Sequence, residues 1–231
     1  MKKKGKPDVV LVNWQEEDRS LILEGETVLQ YRLSWPQLEG AGRAGTQVSR
    51  YYARLAEAWR ARWGRELYWR ACLALVQCRA AGRPFCPWSG KLSGAVTTQE
   101  EELLCLRLES EETWGDGRKL QGCWGDVWDL KYGSPCGFAR AAGGGRSWRR
   151  ELLAQAVQTG NERRAAGDCF LDQGWEAWLR KNLSRCSFCL TPGQIEILLP
   201  QCAAAPAAEG VVSLRVPRAA GAEQSIGQDR Q

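Results

Sequence analysis

Leu103-Leu104-Cys105-Leu106-Arg107-Leu108-Glu109 is the stretch on which the reading of the fold turns. Leu104, Leu106 and Leu108 alternate with Cys105, Arg107 and Glu109, the period-two signature of a strand with one buried face. Gly115-Asp116-Gly117 then gives a hairpin turn signal, and residues 120–130 read as the returning strand. Residues 85–98 supply a strand on the other side. Asp129-Leu130-Lys131-Tyr132-Gly133 resembles the turn after an edge strand.

Upstream lies a long helical pattern over residues 47–81, with Thr46 as its cap. Val48, Tyr52, Leu55, Trp59, Trp63 and Leu67 recur at three- and four-residue steps and make one apolar stripe. Arg50, Arg54, Arg60, Arg65 and Arg70 mostly take other faces, as on a core helix with a solvated side. A basic helix for nucleic acid or membrane is the less favoured reading. Gly82-Arg83-Pro84 stops the helix. Residues 20–35 alternate in part around Gly25 and read as a hairpin or two short strands that Pro36 ends, followed by a Gly/Ala loop over 39–45. Residues 1–17 form a basic, loosely ordered lead with one strand candidate at 9–14.

Downstream, Gly143-Gly144-Gly145 reads as a flexible linker before a helix over 147–166, with Ser147 as cap. A third helix after Asp172 carries Trp175, Trp178, Leu179 and Leu183. Residues 188–190, a Thr191-Pro192-Gly193 turn and residues 195–199 form another hairpin, and 211–216 the last strand. The polar tail over 218–231 reads as disordered. The fold class is therefore α+β: an antiparallel sheet packed against one long helix and two shorter ones, in a single domain over 18–217.

Composition narrows the chemistry. The chain has 231 residues, 44% of them hydrophobic and 26% charged, so it is long and apolar enough to bury a core. Its net charge of +5 is interrupted by acids outside the N-terminal lysines, and no groove-reading or stacking element marks a nucleic-acid binder. With no histidine, Ser-His-Asp and Cys-His catalysis are excluded. No apolar run approaches the roughly 20 residues that span a bilayer, and Val9 to Val12 is too short for a secretory core, so the expectation is a cytoplasmic chain without a membrane span. The ten cysteines are read as small core hydrophobes, the alternative being a five-bridge framework in an exported protein.

No motif rises to catalysis. Cys186-Ser187-Phe188-Cys189 has the C-x-x-C spacing, but it lacks a second pair for zinc and runs into a strand rather than opening a helix, so no metal or cofactor is expected. Carboxylates at 100–102 and 109–112 could in principle work as a glycosidase pair, yet alternation on a strand sets neighbours on opposite faces. Trp114, Trp124 and Trp128 flank the hairpin. They are either a binding patch or a cover for the long helix.

Phe170-Leu171-Asp172, the Trp-bearing helix after it, Phe188-Cys189-Leu190-Thr191-Pro192-Gly193, residues 195–200 and Ala205-Pro206-Ala207-Ala208-Glu209-Gly210 together resemble one family. It is the domain of unknown function that forms the extracytoplasmic, lysozyme-sensing end of RsiV-type anti-sigma factors of Gram-positive bacteria. Asp126-Val127-Trp128-Asp129-Leu130-Lys131-Tyr132-Gly133 looks like that family's strand-and-turn, and the resemblance spans about residues 46–217. Ala207, Leu198 and Leu199 stand where the family carries aromatics. The resemblance implies a non-enzymatic antiparallel α+β sensor at the cell envelope, with lysozyme as a possible partner. The expected function is a stand-alone RsiV-like module that binds a protein or cell-wall ligand through Trp114, Asp116 and Trp124. A cytosolic structural or regulatory protein, for instance one of sporulation, is the alternative, and a carboxylate-based hydrolase the least favoured.

Overall fold

A computed structural model describes residues 10–100, 102–142 and 146–218. The Lys-rich lead up to residue 9, Glu101, the triple glycine at 143–145 and the tail from 219 lie outside these residues, and so do the expectations placed on them. Among the described residues six strands form one sheet, in the order β1 (Leu11–Leu23), β2 (Glu26–Glu39), β3 (Trp88–Gln99), β4 (Leu103–Thr113), β5 (Lys119–Asp129) and β6 (Ser134–Pro135), and three form a second, β7 (Ser187–Thr191), β8 (Gln194–Leu199) and β9 (Val212–Pro217). The chain divides into two compact units where the sequence reads as one domain. The first holds residues 10–94, 108–121 and 130–133, and the second the remaining described residues. Both are α+β in content, as expected.

The first unit begins with a hairpin of β1 (Leu11–Leu23) and β2 (Glu26–Glu39). The strand candidate at 9–14 is strand from residue 11, and residues 15–17, expected in the loose lead, continue it. Glu24 and Gly25 both have positive φ, at 50° and 83°, the backbone of a two-residue turn whose twist matches its strands. Pro36 does not end β2. It pairs with Trp14 of β1, and the ladder to the next strand stops at Leu33, so the missing N–H falls where β2 has only one neighbour.

That next strand, β3 (Trp88–Gln99), runs parallel to β2, with Leu29 opposite Trp88 and Leu33 opposite Leu92. The sheet is thus mixed rather than wholly antiparallel, because a helix lies between these two strands in sequence and returns the chain in the same direction. The helix comprises α1 (Gly42–Ala61), a π-helical turn (Arg62–Leu67) and α2 (Tyr68–Ala80). It starts five residues earlier than Thr46 suggested. Thr46 lies inside its first turns, and its hydroxyl donates to the Gly42 carbonyl at 3.1 Å.

The π turn has a physical reason in the sequence. Val48, Tyr52, Ala56, Trp63, Leu67, Ala71 and Leu75 are all buried, mostly four residues apart. On an α-helix each step of four carries the stripe roughly 40° round the axis. The wider π turn admits one extra residue and brings Leu67, Ala71 and Leu75 back onto the buried line. It also sets Arg62 and Trp63 side by side over β4 (Leu103–Thr113). There the buried Glu112 accepts two bonds from Arg62, at 2.7 and 3.0 Å, and one from the Trp63 indole N–H at 2.9 Å. The Trp63 ring lies on Gly90, where a Cβ would come within 2.8 Å of it.

The second unit holds the β7-β8-β9 sheet, formed by Ser187–Thr191, Gln194–Leu199 and Val212–Pro217 in antiparallel register. It also holds α4 (Trp148–Ala166) and α5 (Trp175–Asn182). A four-residue helix, α3 (Phe138–Ala141), was not foreseen. Ser147 stands at the N-cap of α4 but its side chain makes no capping bond. Arg218, expected in a disordered tail, is buried, donating its N–H to Gly193 and its guanidinium to Glu100. Strand β5 (Lys119–Asp129) comes close to β7 at Gly125, whose N–H donates to Ser187 Oγ at 2.8 Å. A Cβ on Gly125 would overlap the Phe188 carbonyl. Cys105, expected opposite the buried face of β4, is buried as fully as Leu104 and Leu106.

Two outcomes test this packing. At Gly160 of α4 an added Cβ would sit 2.2 Å from the buried Trp175 ring. Gly160→Ala is expected to destabilise by about 2–3 kcal/mol in denaturant unfolding despite its better helix propensity; an unchanged midpoint would contradict the α4–Trp175 contact. Glu196 is buried on β8 between Arg107 at 2.5 Å and Arg215 at 3.4 Å. Burial pushes its carboxyl up, but the Ser213 hydrogen bond and the two guanidinium groups together hold it below the ordinary value of 4.5. Its stabilisation is therefore complete above pH 4.5 and is lost as pH falls through the lower folded value. Glu196→Gln should lower stability at pH 7 and flatten the acid limb of a melting-temperature profile.

Candidate functional site

The β4–β5 turn carries an aromatic cluster at a chain reversal. Trp114 N–H donates to the Arg118 carbonyl at 2.9 Å and Gly117 N–H to the Trp114 carbonyl at 2.8 Å, closing the turn. Gly117 holds φ at 82°, a backbone state that favours glycine. Gly115 is required for another reason: a Cβ there would lie 2.8 Å from the Cys86 carbonyl and 2.9 Å from the Trp88 indole nitrogen.

The half-buried Trp114 ring stacks on Trp88 with centroids 5.4 Å apart and planes 11° from parallel. The Arg118 guanidinium lies 4.6 Å from the Trp114 centroid, within cation–π range. Asp116 holds that guanidinium, accepting from Arg118 Nε at 2.6 Å and from the Arg118 backbone N–H at 3.1 Å. The backbone N–H, then the guanidinium, keep its carboxyl below the usual Asp range. The indole nitrogens of both Trp88 and Trp114 are shut off from solvent and have no hydrogen-bond acceptor among the described residues. The tip is therefore a stacked, cation-capped platform.

The three residues expected to bind are distributed as follows. Trp114 and Asp116 share this tip in the first unit. Trp124 is half-buried on β5 and belongs to the second unit. Sequence reasoning missed Trp88 and Arg118. The Trp114-x-x-x-Arg118 spacing across a Gly-Asp-Gly turn is a signal that could have found Arg118, since it sets the two residues opposite each other on a hairpin.

Two open clefts also lie in the first unit. One of about 390 Å³ is lined by Asp18, Arg19, Gln30, Tyr31, Arg32 and Gly90 among others. The other, of about 380 Å³, includes Trp35, Pro36, Leu38, Ser49 and Arg50. In the first, Asp18 is already paired with Arg32, at 2.7 and 3.1 Å.

Among the described carboxylates considered for hydrolysis, Glu100, Glu111 and Glu112 are engaged by other side chains, and so is Asp129 beside them. Glu112 is held by Arg62 and Trp63, and Glu111 accepts from Gln121 at 2.9 Å and Lys119 at 3.2 Å. Asp129, fully buried, accepts from Arg140 at 2.6 Å. The C-x-x-C cysteines are both buried and lead into β7, and burial alone pushes the Cys186 thiol up to about 11. The buried Cys105 and Cys189 thiols share a hydrogen bond that lowers the pKa of the first and raises that of the second. Among the described residues all ten cysteines are free thiols. Alkylation with iodoacetamide at pH 8 should therefore label the exposed Cys86 and Cys202 first and reach Cys105, Cys186 and Cys189 only on unfolding. Rapid native labelling of Cys186 would contradict its burial.

No protein-family model matches the chain, and no curated protein does. Among solved structures, it is similar to a member of the DUF3298 family from Bacteroides fragilis, with a TM-score of 0.64, 11% identity and 91% of each chain covered. A DUF3298 family protein from Pseudomonas aeruginosa matches with a TM-score of 0.52, 13% identity and coverage of 92% of this chain and 91% of that one. At such identities the likeness is one of fold: the chain has the α+β fold seen in DUF3298 proteins.

Proposed function

We propose that the chain is a non-catalytic binding or sensing module for a protein or cell-wall ligand, related to the extracytoplasmic domain of RsiV-type anti-sigma factors. The observation that carries this reading is the β4–β5 tip. Trp114, Trp88 and Arg118 form a pre-ordered platform there, and tryptophan and arginine are the side chains that most often dominate recognition surfaces. Preordering matters because a stacked ring loses little rotamer freedom when a ligand covers it. The engagement of Glu111, Glu112, Asp129 and Glu196 by cationic or amide partners supports a non-enzymatic role, since none of them is left as a free acid–base pair. The ten free thiols favour the second reading, a cytosolic structural or regulatory protein.

Lysozyme, named by the family resemblance, and purified peptidoglycan are the probes. The wild-type chain should bind one of them, and the double variant Asp116→Ala/Arg118→Ala should bind at least tenfold more weakly with its melting temperature unchanged. Because Trp114 stacks on Trp88, Trp114→Ala should weaken binding and also destabilise by about 1 kcal/mol. Wild-type binding to neither probe would remove the envelope-sensor reading and leave the cytosolic one.

A further inference from the structure

The helix that links β2 to β3 is basic out of proportion to the chain. Residues 42–80 hold eight arginines and two glutamates, while the whole chain has a net charge of only +5. The rest of the chain therefore carries no positive excess. Three of these arginines are occupied: Arg60 by Glu17, Arg62 by Glu112, and Arg79 by Glu24 and Glu26. Arg43, Arg50, Arg54, Arg65 and Arg70 are exposed and have no ion pair among the described residues.

The outer face of α2 is apolar as well. Trp69, Leu73 and Val76 are 67%, 58% and 53% exposed, and Ala80 continues their line. The buried side of the same helix is a separate set, Ala71, Cys72 and Leu75, which packs on Val28. Steps of four, three and four residues from 69 to 80 make a period of about 3.7, close to the 3.6-residue turn of the helix, so these side chains keep to one line, a seam, along it. The seam is one side chain wide, bordered by the exposed Glu66, Arg70 and Gln77. A bilayer surface would instead call for a broad apolar face. With the extra residue of the π turn counted, Arg43, Arg50, Arg54 and Arg65 lie along the same outer line as the seam. A second copy of this chain would bring these arginines against one another.

We propose that this face of α1 and α2 docks an acidic amphipathic helix, whose apolar residues meet Trp69, Leu73 and Val76 and whose carboxylates run along Arg43, Arg50, Arg54 and Arg65. The proposal rests on the binding-module reading and adds a second contact surface to it, separate from the β4–β5 tip. Trp and Arg together, apolar at the centre and charged beside it, are the composition of a protein interface core and rim.

The probe is a fluorescein-labelled synthetic 21-residue helix with leucines at alternating three- and four-residue steps and glutamates elsewhere. Its control is a scrambled peptide of the same composition. Fluorescence anisotropy at low salt should show binding of the ordered peptide at least tenfold tighter than of the scrambled one. Leu73→Asp and the pair Arg50→Glu/Arg54→Glu should each weaken it at least tenfold without changing the melting temperature, and added salt should weaken it further. Asp116→Ala/Arg118→Ala should leave it unchanged, so failure here is distinct from failure of the tip to bind lysozyme or peptidoglycan. Equal binding of both peptides, or none of either, overturns the proposal. So does flotation of the wild-type chain, lost in Leu73→Asp, with phosphatidylglycerol vesicles that the peptide does not displace. A dimer in sedimentation that Leu73→Asp dissolves also overturns it, in favour of a second copy.

Discussion

Glu112 is the constraint around which the first unit is arranged. A carboxylate with 2% of its surface exposed is costly to bury unless its lone pairs are filled and its charge is met. Arg62 and Trp63 do both, and they can do so together only because the π turn sets consecutive residues over the same point of β4. Trp63 in turn needs Gly90 to be a glycine, and Gly90 lies within the parallel β2–β3 ladder, opposite Tyr31. Helix register, sheet pairing and a buried ion pair are thereby tied to one another. Removing Arg62 leaves an uncompensated buried acid, which is worse than an apolar pair of the same shape, whereas removing Trp63 leaves the charge met and one hydrogen bond unmade.

The second unit solves a similar problem with close backbone approach. Gly125 brings β5 against the Phe188 carbonyl, and Gly160 admits the Trp175 ring to the flank of α4. Its buried charges follow one rule: Asp129 takes Arg140, and Glu196 takes Arg107 and Arg215. Throughout the described residues arginine serves as the counter-ion of buried acids. Its planar fork meets two carboxylate oxygens at once, which a lysine cannot do. A surplus of arginine remains on the outer face of the long helix, where no carboxylate of the described chain meets it.

Alternation made β4 legible, and the Gly-Asp-Gly turn placed its partner β5 within one residue. The hairpin of β7 and β8 was equally readable, because Pro-Gly punctuation and short apolar runs are local signals. What sequence patterns hid was nonlocal. Nothing in residues 29–33 says that their second neighbour is a parallel strand reached through the long helix. The π turn was concealed because a four-residue repeat reads as an ordinary helical stripe until its drift is followed over seven turns. At the candidate site, Trp114 and Asp116 were visible from the turn chemistry. Trp88 was not, since its stacking depends on β3 and β4 pairing first.

The parallel ladder has a consequence for how the chain acquires its structure. Leu29 and Trp88 can meet only after everything between them has been threaded into place. The β1–β2 hairpin and the helix are local and leave the ribosome first, so both can form while β3 is still being made. Until then the second edge of β2 has no strand beside it from Leu29 to Leu33. Closing that gap is the step of highest contact order in the first unit. The interval during which β2 waits for its parallel neighbour is also the interval in which a nascent chain of this fold is most exposed to mispairing with another strand.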